Sequence, residues 1–178
     1  MDIYGFYKGQ VFDAHKHLGA HRAQEGFTFR IYAPHAKRIT LTGTFNEWSD
    51  WDMQHSFNEH FWEVTVPNAK PGDRYLYRIW HSDVSYTEHC DPYGYGMDVR
   101  PAFCSIVRDL SEYKFCDSSW MRRRSDCKDK PLHIYELHCG SWKQRKKHPE
   151  DESGGWLTYP EIAEKLIPYV KEMGYNYI

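Results

Sequence analysis

The chain has no CxxC pair, no apolar run near the length of a membrane span, and no excess of charge of either sign. Each absence excludes something. Cys90, Cys104, Cys116, Cys127 and Cys139 are odd in number and 11 to 14 residues apart, which argues against paired zinc or redox chemistry and for free thiols in a reducing compartment. No stretch approaches the roughly 18 apolar residues that a membrane helix needs. Met1-Asp-Ile-Tyr-Gly-Phe-Tyr-Lys8 also lacks the charged-then-apolar pattern of a signal peptide. A soluble, cytoplasmic protein is expected, with no membrane partner. Because 23 basic side chains face 25 acidic ones, for a net charge of −2, no global field draws nucleic acid to the chain. The basic runs at 122–124 and 143–147 lie in polar connecting segments without interleaved aromatics, and read as solvated loops. There is no phosphate loop, dinucleotide fingerprint or nucleophile elbow. His15 with His17, and His133 with His138, have no carboxylate or cysteine at matching spacing, so neither a metal nor a cofactor is expected.

What the chain does have is aromatic surface and two kinds of periodicity. Fourteen Tyr and seven Trp in 178 residues exceed what a core of this size needs, so part of that load belongs at a binding surface. Phe27, Phe29 and Ile31 alternate with Thr28, Arg30 and Tyr32, and Ile39, Leu41 and Gly43 alternate with Thr40, Thr42 and Thr44. The polar loop that follows displays Trp48 and Trp51. Flat aromatic faces suit sugar rings, whose axial C–H groups form an apolar surface ringed by hydroxyls. Further strands are predicted at 62–66, at 75–80 and at 105–107, separated by turn chemistry such as Pro71-Gly-Asp73. Short strands with turn signals about every ten residues predict an antiparallel β-sandwich of immunoglobulin type over residues 25–108.

On either side the pattern changes. Residues 1–24 carry Phe6, Tyr7, Val11, Phe12 and Leu18 at roughly helical spacing, which predicts a short amphipathic lead-in helix. Residues 109–131 are polar and read as a linker. Beyond it, Leu132-His-Ile-Tyr-Glu-Leu137 predicts a buried strand. Thr158 and Glu161 have the spacing of a helix capping box, with Pro160 in the first turn. Ile162, Leu166, Tyr169, Val170 and Met173 mark one apolar face, Gly174 is the expected C-terminal cap, and residues 175–178 look like another strand. Strand, helix, strand is a βαβ unit that needs more sheet on both sides, so the chain is expected to stop inside a domain. At 178 residues it is too short for a complete eight-stranded barrel.

The sandwich segments Phe29-Arg-Ile-Tyr-Ala-Pro-His-Ala-Lys37 and Gly43-Thr-Phe-Asn-Glu-Trp48 resemble the family 48 carbohydrate-binding modules that precede the catalytic barrel in glycogen-active enzymes of the α-amylase superfamily. Three further stretches, Asp91-Pro-Tyr-Gly-Tyr-Gly-Met-Asp-Val-Arg-Pro101, Ser105-Ile-Val-Arg-Asp-Leu110 and His133-Ile-Tyr-Glu-Leu-His-Cys-Gly-Ser-Trp142, look like the 1,4-α-glucan branching enzymes. So does Leu166-Ile-Pro-Tyr-Val-Lys-Glu-Met-Gly174. The resemblance implies that 132–178 begin a truncated (β/α)₈ barrel of glycoside hydrolase family 13, with residues 139–157 on its catalytic face. It implies a glycosyltransferase that moves α-1,4-glucan segments to 6-hydroxyls by a retaining mechanism on two carboxylates. Those carboxylates lie on later strands, so no catalytic residue is assigned here, and the segment alone is expected to be inactive. Two alternatives stay open: a non-catalytic α-glucan-binding module, and part of a glycogen debranching hydrolase.

The expected partner is α-1,4-glucan, that is, glycogen. By the same resemblance, Trp48 occupies the position at which these modules stack a tryptophan on glucose. Arg78 falls where the module of an energy-sensing kinase carries a glucan-contacting lysine, and its bland reading is an exposed strand charge. Tyr86 falls at a second aromatic platform. Trp51 joins the set by proximity to Trp48.

Overall fold

The computed structural model describes residues 1–99, 101–111, 113–127, 129–145 and 154–178, and the chain divides into two compact units, Met1–Lys114 and Phe115–Ile178. Part of the basic run at 143–147, and part of the 139–157 segment, lie outside the described residues.

The first unit is mainly antiparallel β. It opens with helix α1 (Ile3–Tyr7), capped by the Asp2 carboxylate, which accepts from the Gly5 amide at 3.0 Å. Strands β1 (Gly19–Arg22), β2 (Phe27–Tyr32), β5 (Gln54–Ser56) and β6 (Phe61–Val66) form one sheet in the order β1-β2-β6-β5. Strands β3 (Arg38–Gly43), β4 (Trp51–Asp52), β7 (Arg74–Ser82) and β8 (Ser85–His89) form the second in the order β4-β3-β7-β8, with β9 (Ser105–Ile106) also paired to β7. Period-two alternation sends Phe27, Phe29 and Ile31 of one sheet and Ile39, Leu41, Tyr75 and Tyr77 of the other into a shared core. This is the expected sandwich.

One carboxylate sits inside that core. The hydroxyls of Tyr75 and Tyr77 donate to Asp91 Oδ2 at 2.7 and 3.1 Å, and the Tyr93 amide donates to Oδ1 at 2.8 Å. Burial still dominates, so the Asp91 carboxyl titrates above the ordinary carboxylate range despite these donors.

The expected lead-in helix over 1–24 is corrected. α1 has only five residues, Gly9 takes a left-handed φ of 67°, and residues 19–22 pair with β2 as a strand. Phe6, Val11 and Leu18 do share an apolar cluster, but a folded-back segment rather than one helix brings them together. Strand β8 had no sequence signal, because all five of its residues are exposed and none alternates in polarity.

In the second unit the polar stretch is not all loop. Helix α2 (Ser118–Arg123) places Arg122 and Arg123 in its last turn, so the first basic run is solvated but helical. Helix α3 (Cys139–Trp142) was not expected either. The predicted buried strand at 132–137 is replaced by one parallel bridge, Ile134 to Tyr177, and Leu132 and Ile134 are exposed. A parallel strand becomes buried only when neighbours flank it and helices cover it, and this segment has one short partner. Helix α4 (Tyr159–Glu172) follows the sequence closely: Ile162, Leu166 and Val170 are its buried stripe. The Thr158 amide donates to Glu161 at 2.8 Å, and the Thr158 hydroxyl donates to the same carboxylate at 2.7 Å. Gly174 ends the helix at a φ of 80°.

Candidate functional site

The loop after β3 is organised by a side chain. The Asn46 carboxamide accepts from the Gly43 amide at 2.8 Å and donates to the carbonyls of Leu41 and Ser49 at 3.2 and 2.9 Å. Gly43 stands where a Cβ would collide with the Arg74 carbonyl, so the chain can turn tightly there. Held at both ends by Asn46, the two residues between are driven into the left-handed region, Glu47 at a φ of 54° and Trp48 at 62°. The Trp48 amide donates to Gly43 at 2.9 Å, and its side chain stands 38% exposed.

Register places the rest. Thr40, Arg78 and Glu88 are directly paired across β3, β7 and β8, as are Arg38, Trp80 and Tyr86, and both rows face away from the core. Arg78 is the hub. Its Nε donates to Glu88 at 2.9 Å and its Nη1 to Asp50 at 3.1 Å, with the Trp48 carbonyl 3.5 Å away. The guanidinium also lies 4.8 Å from the centre of the Tyr86 ring. Burial works against the charge of Arg78, but the bonds to Glu88 and Asp50 outweigh it and hold the pKa above the usual arginine value. The reading of Arg78 as an exposed strand charge is therefore corrected: its side chain is only 15% exposed and doubly paired.

A second arginine extends the array. The Arg38 guanidinium sits 4.5 Å over Trp80, and Trp80 lies 4.8 Å from Tyr86, so Arg38, Trp80, Tyr86 and Arg78 follow one another in contact across the face. Asp52 pairs with Arg38 at 2.6 Å, and Thr40 donates to Asp50 at 2.6 Å while accepting from the Trp80 indole at 2.9 Å. The result is an aromatic surface whose two arginines are paired with three carboxylates, Asp50, Asp52 and Glu88.

Trp48, Arg78 and Tyr86 are thus brought together. Trp51 is not: it shares a row with Leu41 and Tyr77, on the side facing the core, and its ring lies 6.5 Å from Phe45 at the sandwich margin. Sequence reasoning missed Asn46, Asp50, Trp80 and Glu88. Only Trp80 carried a signal, as the last aromatic of the alternating 75–80 run. A cavity of about 480 Å³ opens beside Ala33, Ala36 and Ile79 with Trp80 in its wall, and none of the four predicted residues lines it. Among the described residues, no group of three or more His, Cys, Asp or Glu is placed to hold a metal, and no helix is long and apolar enough to cross a membrane.

Residues 17–94 match the family Carbohydrate-binding module 48 (Isoamylase N-terminal domain). The match therefore starts at His17, ahead of the expected boundary at 25, and takes in strand β1. The whole chain is 36% identical to the 1,4-alpha-glucan branching enzyme of Geobacillus stearothermophilus, and equally to that of Francisella tularensis subsp. holarctica. It spans 28% of the length of each. Among solved structures, a candidate alpha amylase from Salmonella typhimurium superposes with a TM-score of 0.62 at 21% identity, over 89% of this chain and 23% of the other, which speaks to fold alone. Residues 17–94 are thus similar to the family 48 carbohydrate-binding modules, and over its full length the chain is similar to part of the 1,4-alpha-glucan branching enzymes.

Proposed function

We propose that this chain is part of a glycogen branching enzyme and that its sandwich docks α-1,4-glucan on the outer face of the β4-β3-β7-β8 sheet. The observation that carries the reading is the unbroken similarity of the whole chain, at 36% identity, to two branching enzymes. Residues 132–178 would begin the (β/α)₈ barrel, with the parallel Ile134–Tyr177 bridge and α4 as its first βαβ piece. The enzyme would transfer a glucan segment through a covalent glycosyl-enzyme to a 6-hydroxyl, using a carboxylate nucleophile and an acid/base carboxylate outside this chain. The segment alone would not catalyse. We place it in the cytoplasm, with a sandwich domain that starts ahead of residue 25 so as to include β1 and runs to 108, and a second domain at 132–178 joined to it by 109–131.

In the docking step, Trp48 and Tyr86 are the stacking platforms, and Arg78 holds both while presenting little free charge. Trp51, on the core-facing side of its strand, takes no part in it. One platform burying on the order of 100 Å² gains roughly 2.5 kcal/mol at about 25 cal/mol per Å². Association costs at least about 4 kcal/mol. A single ring is therefore insufficient, and the paired rings act together on a polymer. Iodine staining of amylose tests the whole: branching by the 178-residue chain would refute its inactivity. Failure of the longer protein containing this chain to branch amylose would refute the enzyme assignment.

A further inference from the structure

We propose a second α-glucan-binding patch, centred on Phe57, on the outer face of the β1-β2-β6-β5 sheet. It rests on the glucan reading of the first face. Phe57 is a bulky residue at a φ of 54°, a region where glycine would be at ease and an aromatic residue is strained. The side chain is only partly spent on packing: its ring meets buried Phe61 edge-on at 5.6 Å, and 48% of the residue stays exposed. Outliers of this kind gather at binding sites, and the other described non-glycine residues with positive φ are Glu47 and Trp48. The surroundings repeat those of the first face. The Arg30 guanidinium lies 6.0 Å from the Phe57 ring and pairs with Glu63, which also accepts from Ser56 at 3.2 Å. The Asn58 carboxamide donates to the Tyr7 hydroxyl at 3.2 Å beside the ring.

This combination selects a ligand chemistry. The arginine is already neutralised by Glu63, so the patch offers an anion little. A flat ring flanked by an amide and a phenol suits a neutral, polyhydroxylated chain that stacks through C–H faces and exchanges hydrogen bonds at its edges. Phe27, Phe29 and Ile31 of β2 point to the core, so Arg30 faces outward from one sheet as Arg78 does from the other. The module then carries opposed platforms and can hold two glucan strands at once.

Maltoheptaose titrated into the full 178-residue chain tests this by calorimetry and by amide shift mapping. Two sites are expected, with amides at 56–58 shifting on one isotherm and the Trp48 indole on another. Phe57→Gly removes both the strain and the edge contact with Phe61, which act in opposite directions, so its melting temperature is expected to change little while stoichiometry drops to one and glycogen binding weakens about tenfold or more through lost avidity. Phe57→Trp is expected to keep both sites. Unchanged stoichiometry in Phe57→Gly, or no shift at 56–58 in the parent, overturns the second patch. Trp48→Gly reports on the first face separately: loss of that site with the Phe57 site intact supports both. No maltoheptaose binding at all overturns both.

Discussion

The Arg78 guanidinium packs on the Tyr86 ring at 4.8 Å while its Nε holds Glu88, two residues further along the same strand. One side chain thereby fixes an aromatic ring, its own strand neighbour and, through Asp50, the loop that carries Trp48. Removing it releases all three. Arg78→Ala is expected to cost about 1.5–3 kcal/mol of stability, because Asp50 and Glu88 are left without their charged donor. It is also expected to weaken maltoheptaose binding about tenfold, or about 1.4 kcal/mol. Arg78→Lys keeps charge but not the planar fork, so it should recover stability more than binding. Urea denaturation and calorimetry on the same samples separate the two effects.

The Asn46 side chain makes three hydrogen bonds that hold the loop. Asn46→Ala is expected to destabilise the sandwich by about 2–4 kcal/mol, since a buried amide and carbonyls lose partners. Trp48 would leave its left-handed conformation, and its fluorescence should shift to the red. A stable variant with unchanged Trp48 emission would count against the assigned role.

Asp91 gives a pH dependence of unusual sign. Its carboxyl is raised in the folded protein, so the native state binds more protons than the unfolded chain between the ordinary carboxylate value and the raised one. This group's contribution therefore falls as pH rises through that window. Asp91→Asn keeps an acceptor for Tyr75 and Tyr77 and removes the titration. Its stability relative to the parent is expected to improve from acidic pH toward neutrality, as measured by denaturation midpoints across that range.

The second unit exposes Leu132, Ile134, Met173 and Ile178, each more than half accessible. Apolar groups at sheet edges and on a helix invite pairing between copies. Concentration-dependent association of the chain is expected in sedimentation velocity, and Ile134→Lys with Ile178→Lys is expected to suppress it. A strictly monomeric parent at high concentration would refute this.

Much of the fold was legible because the sequence alternates with period two in β2, β3, β6 and β7, whose core-facing residues Phe29, Leu41, Trp62 and Tyr75 meet in one cluster, and because the Thr158 to Glu161 spacing and Gly174 mark both ends of α4. Strand β8 was not legible: it is an exposed edge strand with no apolar/polar alternation, and its side-chain partners lie on β7 rather than in the core. The 132–137 run misled in the other direction, since its apolar character speaks of neighbours that the described residues do not supply. For the candidate site, aromatic residues announced themselves, but Asp50, Glu88 and Asn46 did not. Polar residues in turns and on strand faces are common, and it takes strand register for Glu88 and the folded loop for Asn46 and Asp50 to put these three beside Trp48, Arg78 and Tyr86.

The two consecutive left-handed residues at Glu47 and Trp48 have a kinetic consequence. Their backbone is ordered when the sandwich folds, before any ligand arrives, so the indole does not have to be recruited from a mobile loop. If this face docks glucan as proposed, an incoming chain would meet a finished surface, and its capture rate would be set by diffusion and the shedding of water rather than by loop closure. Selectivity then resides in how long the chain stays.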